Sequence, residues 1–179
     1  MSKFIGLLAA AACSSIAIAA SAMAQPSLSD AEYMAQALSA APLAVQGEAR
    51  VVRPESDGKM RELKPGTNGF TCLIMGTDKM CADANSMEFL DAMMSHKAPP
   101  DKVGITYMLA GDIGASNTDP YATGKTPDNH WIVTGPHIMI FGPPSKALGY
   151  TRAPDPPDSK HPYMMWANTP YEHAMIPVQ

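Results

Sequence analysis

The run VGITYML, residues 103–109, alternates Val103, Ile105, Tyr107 and Leu109 with Gly104, Thr106 and Met108. Side chains two positions apart share a face of a strand, so this period predicts a β-strand whose apolar face is Val103, Ile105, Tyr107 and Leu109. Further along, short apolar runs at 130–133, 137–141, 164–167 and 173–178 are separated by Gly135-Pro136, Gly142-Pro143-Pro144 and Asn168-Thr169-Pro170. Most of these spacers are too short for the helical crossover that a parallel pair requires, so the sheet is predicted to be mainly antiparallel.

Before residue 103 the chain alternates strand and helix signals. Ser29-Asp30-Ala31-Glu32 reads as a capping box, and Met34, Ala37, Leu38 and Ala41 recur at helical spacing until Pro42, which predicts a helix over 30–41. Ala49, Val51 and Val52, then Asp57-Gly58, then Met60 to Leu63 give a hairpin signal. Phe70 to Met75 is a further strand. Asp83 or Asn85 can cap a second helix, with Met87, Leu90, Met93 and Met94 along one side, before Pro99-Pro100 ends it. With about two helices and seven strands, the fold class is α+β with a mainly antiparallel sheet. Residues 25–179 are read as one domain, in which 149–162, dominated by proline and charge, form a surface excursion.

Residues 1–24 have the layout of a secretory signal peptide: Lys3, an apolar run from Phe4 to Ala20, and Ala22-Met23-Ala24 ahead of Gln25. Cleavage after Ala24 is preferred over lipidation of Cys13, because the apolar segment continues past Cys13 and Ala10 stands where an aliphatic residue is wanted. The expected location is periplasmic or extracellular. Loss of Lys3 takes the formal charge from −4 to −5, with charges of both signs interspersed, which argues against nucleic acid as a partner. No other apolar run approaches the roughly 20 residues that cross a bilayer, so no membrane attachment is expected after cleavage. Cleavage leaves Cys72 and Cys81, for which an oxidising compartment favours a disulfide. The sequence is silent on oligomeric state.

The segments TNGFTC (67–72), MCAD (80–83), ASNTDPYA (115–122), TGPHIMI (134–140) and MMWANTPYEHAMIPV (164–178) together resemble a group of uncharacterised secreted bacterial proteins that carry similar segments in the same order. The resemblance covers roughly Ala49 to Val178. It implies a single domain and carries no activity that transfers to this chain.

Two patterns in the last third carry chemistry: His137-Ile138-Met139 and His173-Ala174-Met175. In a strand each presents an imidazole and a thioether on one face, and pairing the two strands would gather two nitrogens and two sulfurs. That donor set suits a soft metal, copper as Cu(I) above all. Against this, the 14 methionines make such spacing common by chance, and both histidines could be core residues with a satisfied ring nitrogen. The polar segment from Ala110 to Asn129 offers Asn117 and Asp119 as small-ligand contacts. Its Asp112–Asp119 stretch lacks the spacing of an EF-hand Ca²⁺ loop. No nucleophile elbow or zinc helix occurs, so no catalytic residue is assigned. The reading is an exported binding or accessory protein for a small ligand or soft metal, using His137, Met139, His173 and Met175; the cofactor is left open, with copper the metal considered. The alternative is a metal-independent hydrolase or isomerase using His137 or His173 as base, with Ser116 and Asp119 as partners.

Overall fold

A computed structural model of the chain describes residues 28–154 and 158–178. The leader, its cleavage position and Cys13 lie outside the described residues. Helix α1 (Asp30–Leu38) begins at the expected box: the Ser29 hydroxyl accepts the Glu32 N–H at 3.3 Å and the Glu32 carboxylate accepts the Ser29 N–H at 2.9 Å. It stops three residues before Ala41, because the chain turns there to bury Ala40 and Ala41 against the sheet. A one-turn helix α2 (Leu43–Gln46) follows Pro42. The predicted hairpin is β1 (Arg50–Pro54) and β2 (Met60–Lys64), and Phe70–Met75 is β3. Strand β4 (Asp78–Asp83), which the sequence reading missed, pairs back on β3 and leads directly into α3 (Ala84–Met94), capped by Asp83.

Strand β5 is Gly104–Met108, and the long polar segment then reaches the two-stranded ribbon of β6 (Ala115–Ser116) and β7 (Trp131–Ile132). Strand β8 is His137–Phe141, α4 is Pro143–Ala147, β9 is Tyr163–Met165 and β10 is His173–Pro177. The described residues therefore form four helices, not two, although α2 and α4 are a single turn each. The main sheet runs β2-β1-β3-β4-β5-β8-β10-β9, antiparallel throughout except where β1 and β3 lie parallel. No helix among the described residues is long and apolar enough to cross a membrane.

Each face of this sheet carries its own core. On one face α1 packs Tyr33, Ala37, Ala40 and Ala41 on Val51, Cys72 and Cys81. The two cysteines are directly opposite each other in the β3–β4 register and form the expected disulfide. On the other face α3 sets Phe89, Leu90 and Met93 over β4, β5, β8 and β10. Here the prediction for β5 is corrected: Gly104, Thr106 and Met108 are its buried positions, while Val103 and Ile105 are 44% and 38% exposed. The alternation is right, but α1 covers only the β1–β3–β4 end and leaves the Val103–Ile105 side partly open. Of the predicted excursion over 149–162, residues 155–157 lie outside the described residues; its start is tied by the Thr151–Tyr163 bridge and the Arg152–Glu172 ion pair at 2.9 Å.

Candidate functional site

Strand β8 starts immediately after the Gly135-Pro136 turn and β10 after the Pro170 turn, and each begins with a histidine. His137 and His173 are fully buried, at 0% and 1% exposure. Both rings are held alike: Nδ1 lies against the carbonyl two residues earlier, Gly135 O at 2.7 Å and Tyr171 O at 3.0 Å. A carbonyl only accepts, so each Nδ1 carries the proton, and in the neutral ring Nε2 is left as a lone pair. Both Nε2 atoms are buried with no hydrogen-bond partner among the described residues. Burial holds both imidazoles below their ordinary pKa, His173 at about 4, so at neutral pH both rings are uncharged bases.

The strand register sets methionines around these rings. Met139 and Met175 are directly opposite each other on β8 and β10. On the outer sides, Met108 of β5 is opposite His137, and Met165 of β9 is opposite His173. Residues directly opposite in an antiparallel pair share a face, with Cβ atoms about 5 Å apart. A cavity of about 140 Å³ lies over this part of the sheet, and His137, Met139, His173 and Met175 all line it. The four predicted metal-site residues are thus on one cavity wall, but not as one compact square. His137 is opposite Pro177, four residues along β10 from His173. At the rise of a strand that is about 13 Å between the two positions.

The two ends of the cavity differ. The His173 ring is penned by Trp166, edge to face with ring centres 4.8 Å apart, and by Phe141 at 4.9 Å. Trp166 holds a left-handed backbone, φ 54°, which costs a bulky residue energy. Two bonds to the β6 region fix it: its N–H donates to Asn117 O and its indole Nε1–H to Ser116 O, both at 2.9 Å. Glu172 braces the following turn, accepting from Asn168 N–H at 2.9 Å and from Arg152. Burial alone would raise the Glu172 carboxyl, but these donors hold it below its usual value. At the His137 end stand Asp78 and Asp112, whose carboxyls burial pushes up, Asp78 further so by the nearby Asp112. One Asp78 oxygen is buried without a protein partner.

The predicted ligand loop is placed differently. Asn117 is buried, but its amide donates to the Ala153 and Pro154 carbonyls at 3.1 and 3.4 Å, fastening the surface excursion. Asp119 accepts the Tyr121 N–H at 2.9 Å in a local turn and lines a separate surface hollow with Tyr121 and Asn129. Asp112, at the start of the same segment, is the residue that reaches the histidine cavity. The Ser116 hydroxyl donates to Asn129 O at 2.6 Å and accepts from the Thr118 and Asp119 N–H groups, so its bonds are spent on its own loop.

Among the described residues no group of three or more His, Cys, Asp or Glu is gathered so as to hold a metal ion. The thioethers lining the cavity are donors of the kind soft metals prefer over Zn²⁺, Mg²⁺ or Ca²⁺. No family model matches this chain, and neither a curated protein nor a solved structure matches it.

Proposed function

We propose that this is an exported Cu(I)-binding protein of the periplasm or extracellular space, with the leader of residues 1–24 directing export and the histidine–methionine cavity holding the metal. The observation that carries this reading is the shared arrangement of His137 and His173: Nδ1–H is tied to a backbone carbonyl, and Nε2 is an unpartnered lone pair in a cavity walled by methionines. Metal-ligating histidines are held in this way, because the outer hydrogen bond fixes both tautomer and ring orientation. Thioether donors select Cu(I). Asp78 and Asp112 at one end add local negative potential that favours entry of a cation.

Titration with Cu(I) under a competing chromophoric chelator tests the reading. Affinity well below micromolar is expected, lost in the double variant His137→Ala/His173→Ala. Affinity no tighter than micromolar, or equal affinity in the double variant, overturns it.

The other half of the same reading, a small ligand in place of the metal, draws support from the cavity's size. A dry cavity of about 150 Å³ accepts a molecule the size of benzene. One of the unpartnered Nε2 atoms would then accept the O–H of a small donor such as a phenol. Protection of the metal-free protein against thermal unfolding by phenol, with no effect of Cu(I), would favour this reading over copper.

A further inference from the structure

We propose that the cavity holds two Cu(I) ions, not one: the first on His137 with Met108 and Met139, the second on His173 with Met165 and Met175. The inference rests on the copper reading and adds stoichiometry and ligand sets to it.

The register makes the two sets equivalent. Each histidine has a methionine two residues along its own strand on the same face, and a second directly opposite on the outer neighbouring strand. The pseudo-twofold passes between Met139 and Met175, which face each other across β8 and β10. A nitrogen and two thioether sulfurs form a complete soft donor set for a low-coordinate monovalent ion.

One ion cannot readily serve both rings. Metal–imidazole bonds are about 2 Å, so two nitrogens on one ion are at most about 4 Å apart. The histidine positions are about 13 Å apart along the strands, and strand side chains stand roughly perpendicular to the sheet. Both rings would have to lie flat along the sheet toward each other. His173 is wedged among Trp166, Phe141 and Phe89 with Glu172 as the carboxylate acting on it, while the carboxylate acting on His137 is Asp78; the two rings feel each other's charge without being in ring contact. Each ring is also pinned at Nδ1 to its own backbone, which opposes such a swing.

The two ions would repel each other through the protein. For unit charges about 13 Å apart at an effective dielectric near 20, that repulsion weakens the second binding step by about tenfold. Carboxyls stand near both poles, Asp78 and Asp112 by His137 and Glu172 by His173, so either pole can fill first.

Anaerobic titration of the full chain with chelator-buffered Cu(I), with Ag(I) as a redox-inert parallel, reads the number of ions bound. Two equivalents are expected, the second about tenfold weaker. His137→Ala and His173→Ala should each retain one equivalent. The isosteric pair Met108→Leu and Met165→Leu, chosen to preserve the fold, should each weaken one step by at least tenfold and leave the other unchanged. A single equivalent in the unsubstituted protein, abolished by either histidine substitution, overturns the two-ion proposal and leaves the copper reading standing. No binding at all overturns both.

Discussion

The two faces of the sheet solve the same burial problem with opposite materials. Under α1 the contact is made by alanines and a disulfide, with Ala37, Ala40, Cys72 and Cys81 fully buried. Under α3 it is made by methionines and histidines around an open space. Small rigid groups allow close approach and leave little to rearrange. Thioether chains are flexible and polarizable, and they tolerate an unfilled volume. The cavity thus belongs to one face of the domain, and the other face supplies its rigid backing.

Acid sharpens the contrast most. In the metal-free protein His173 has a folded pKa of about 4 against an ordinary value near 6.5, because burial disfavours the charged ring. A depressed histidine contributes stability that is full above its unfolded pKa and is lost as pH falls from about 6.5 toward 4. The shift corresponds to on the order of 3 kcal/mol. His137 acts in the same direction, and the raised carboxyls of Asp78 and Asp112 act in the opposite one. Urea midpoints measured from pH 7 to pH 4 should fall, and His173→Gln should flatten the slope. An unchanged slope in that variant would place the acid sensitivity elsewhere.

The backing face should respond to thiols instead. Closing the ten-residue loop from Cys72 to Cys81 contributes about 2.5 kcal/mol by chain entropy. Cys72→Ala/Cys81→Ala should lose about that much in denaturant unfolding while keeping Cu(I) affinity within a few-fold. Loss of metal binding at full occupancy of the folded state would mean that the two faces are not separable.

Packing changes test the contrast one side chain at a time. Ala37→Leu forces a larger side chain into the closed face and should cost about 1–3 kcal/mol. Met139→Leu nearly conserves volume and should cost less than about 1.5 kcal/mol, while weakening Cu(I) binding at least tenfold. Thermal melts paired with metal titration would show whether stability and affinity divide between the faces in this way.

Local patterns reached much of this architecture. The Ser29–Glu32 box, the Asp57-Gly58 turn, the Asp83 cap and the Cys72–Cys81 pair are each written within a few residues, and each is present. The same-face placement of His137 with Met139 and of His173 with Met175 follows from strand period alone. What escaped depends on contacts between distant segments. Strand β4 was missed because Asp78 and Lys79 blunt its apolar signal, although Met80, Cys81 and Ala82 are buried. The buried side of β5 was misjudged because alternation tells which residues share a face and not which face is covered. Met108, Met165, Asp78 and Asp112 join the cavity only through register and loop placement, which no spacing in the chain encodes. Trp166 also lines the cavity.

That tryptophan has a practical consequence. Trp166 is one of only two indoles in the chain, and it rests edge to face on His173 while Trp131 stands against Gly114, where even a methyl group would overlap its ring. The molecule therefore carries a built-in fluorescent gauge at one pole of its cavity. Quenching of that emission during metal loading would report filling of the His173 pole separately from the other, with no dye or label attached.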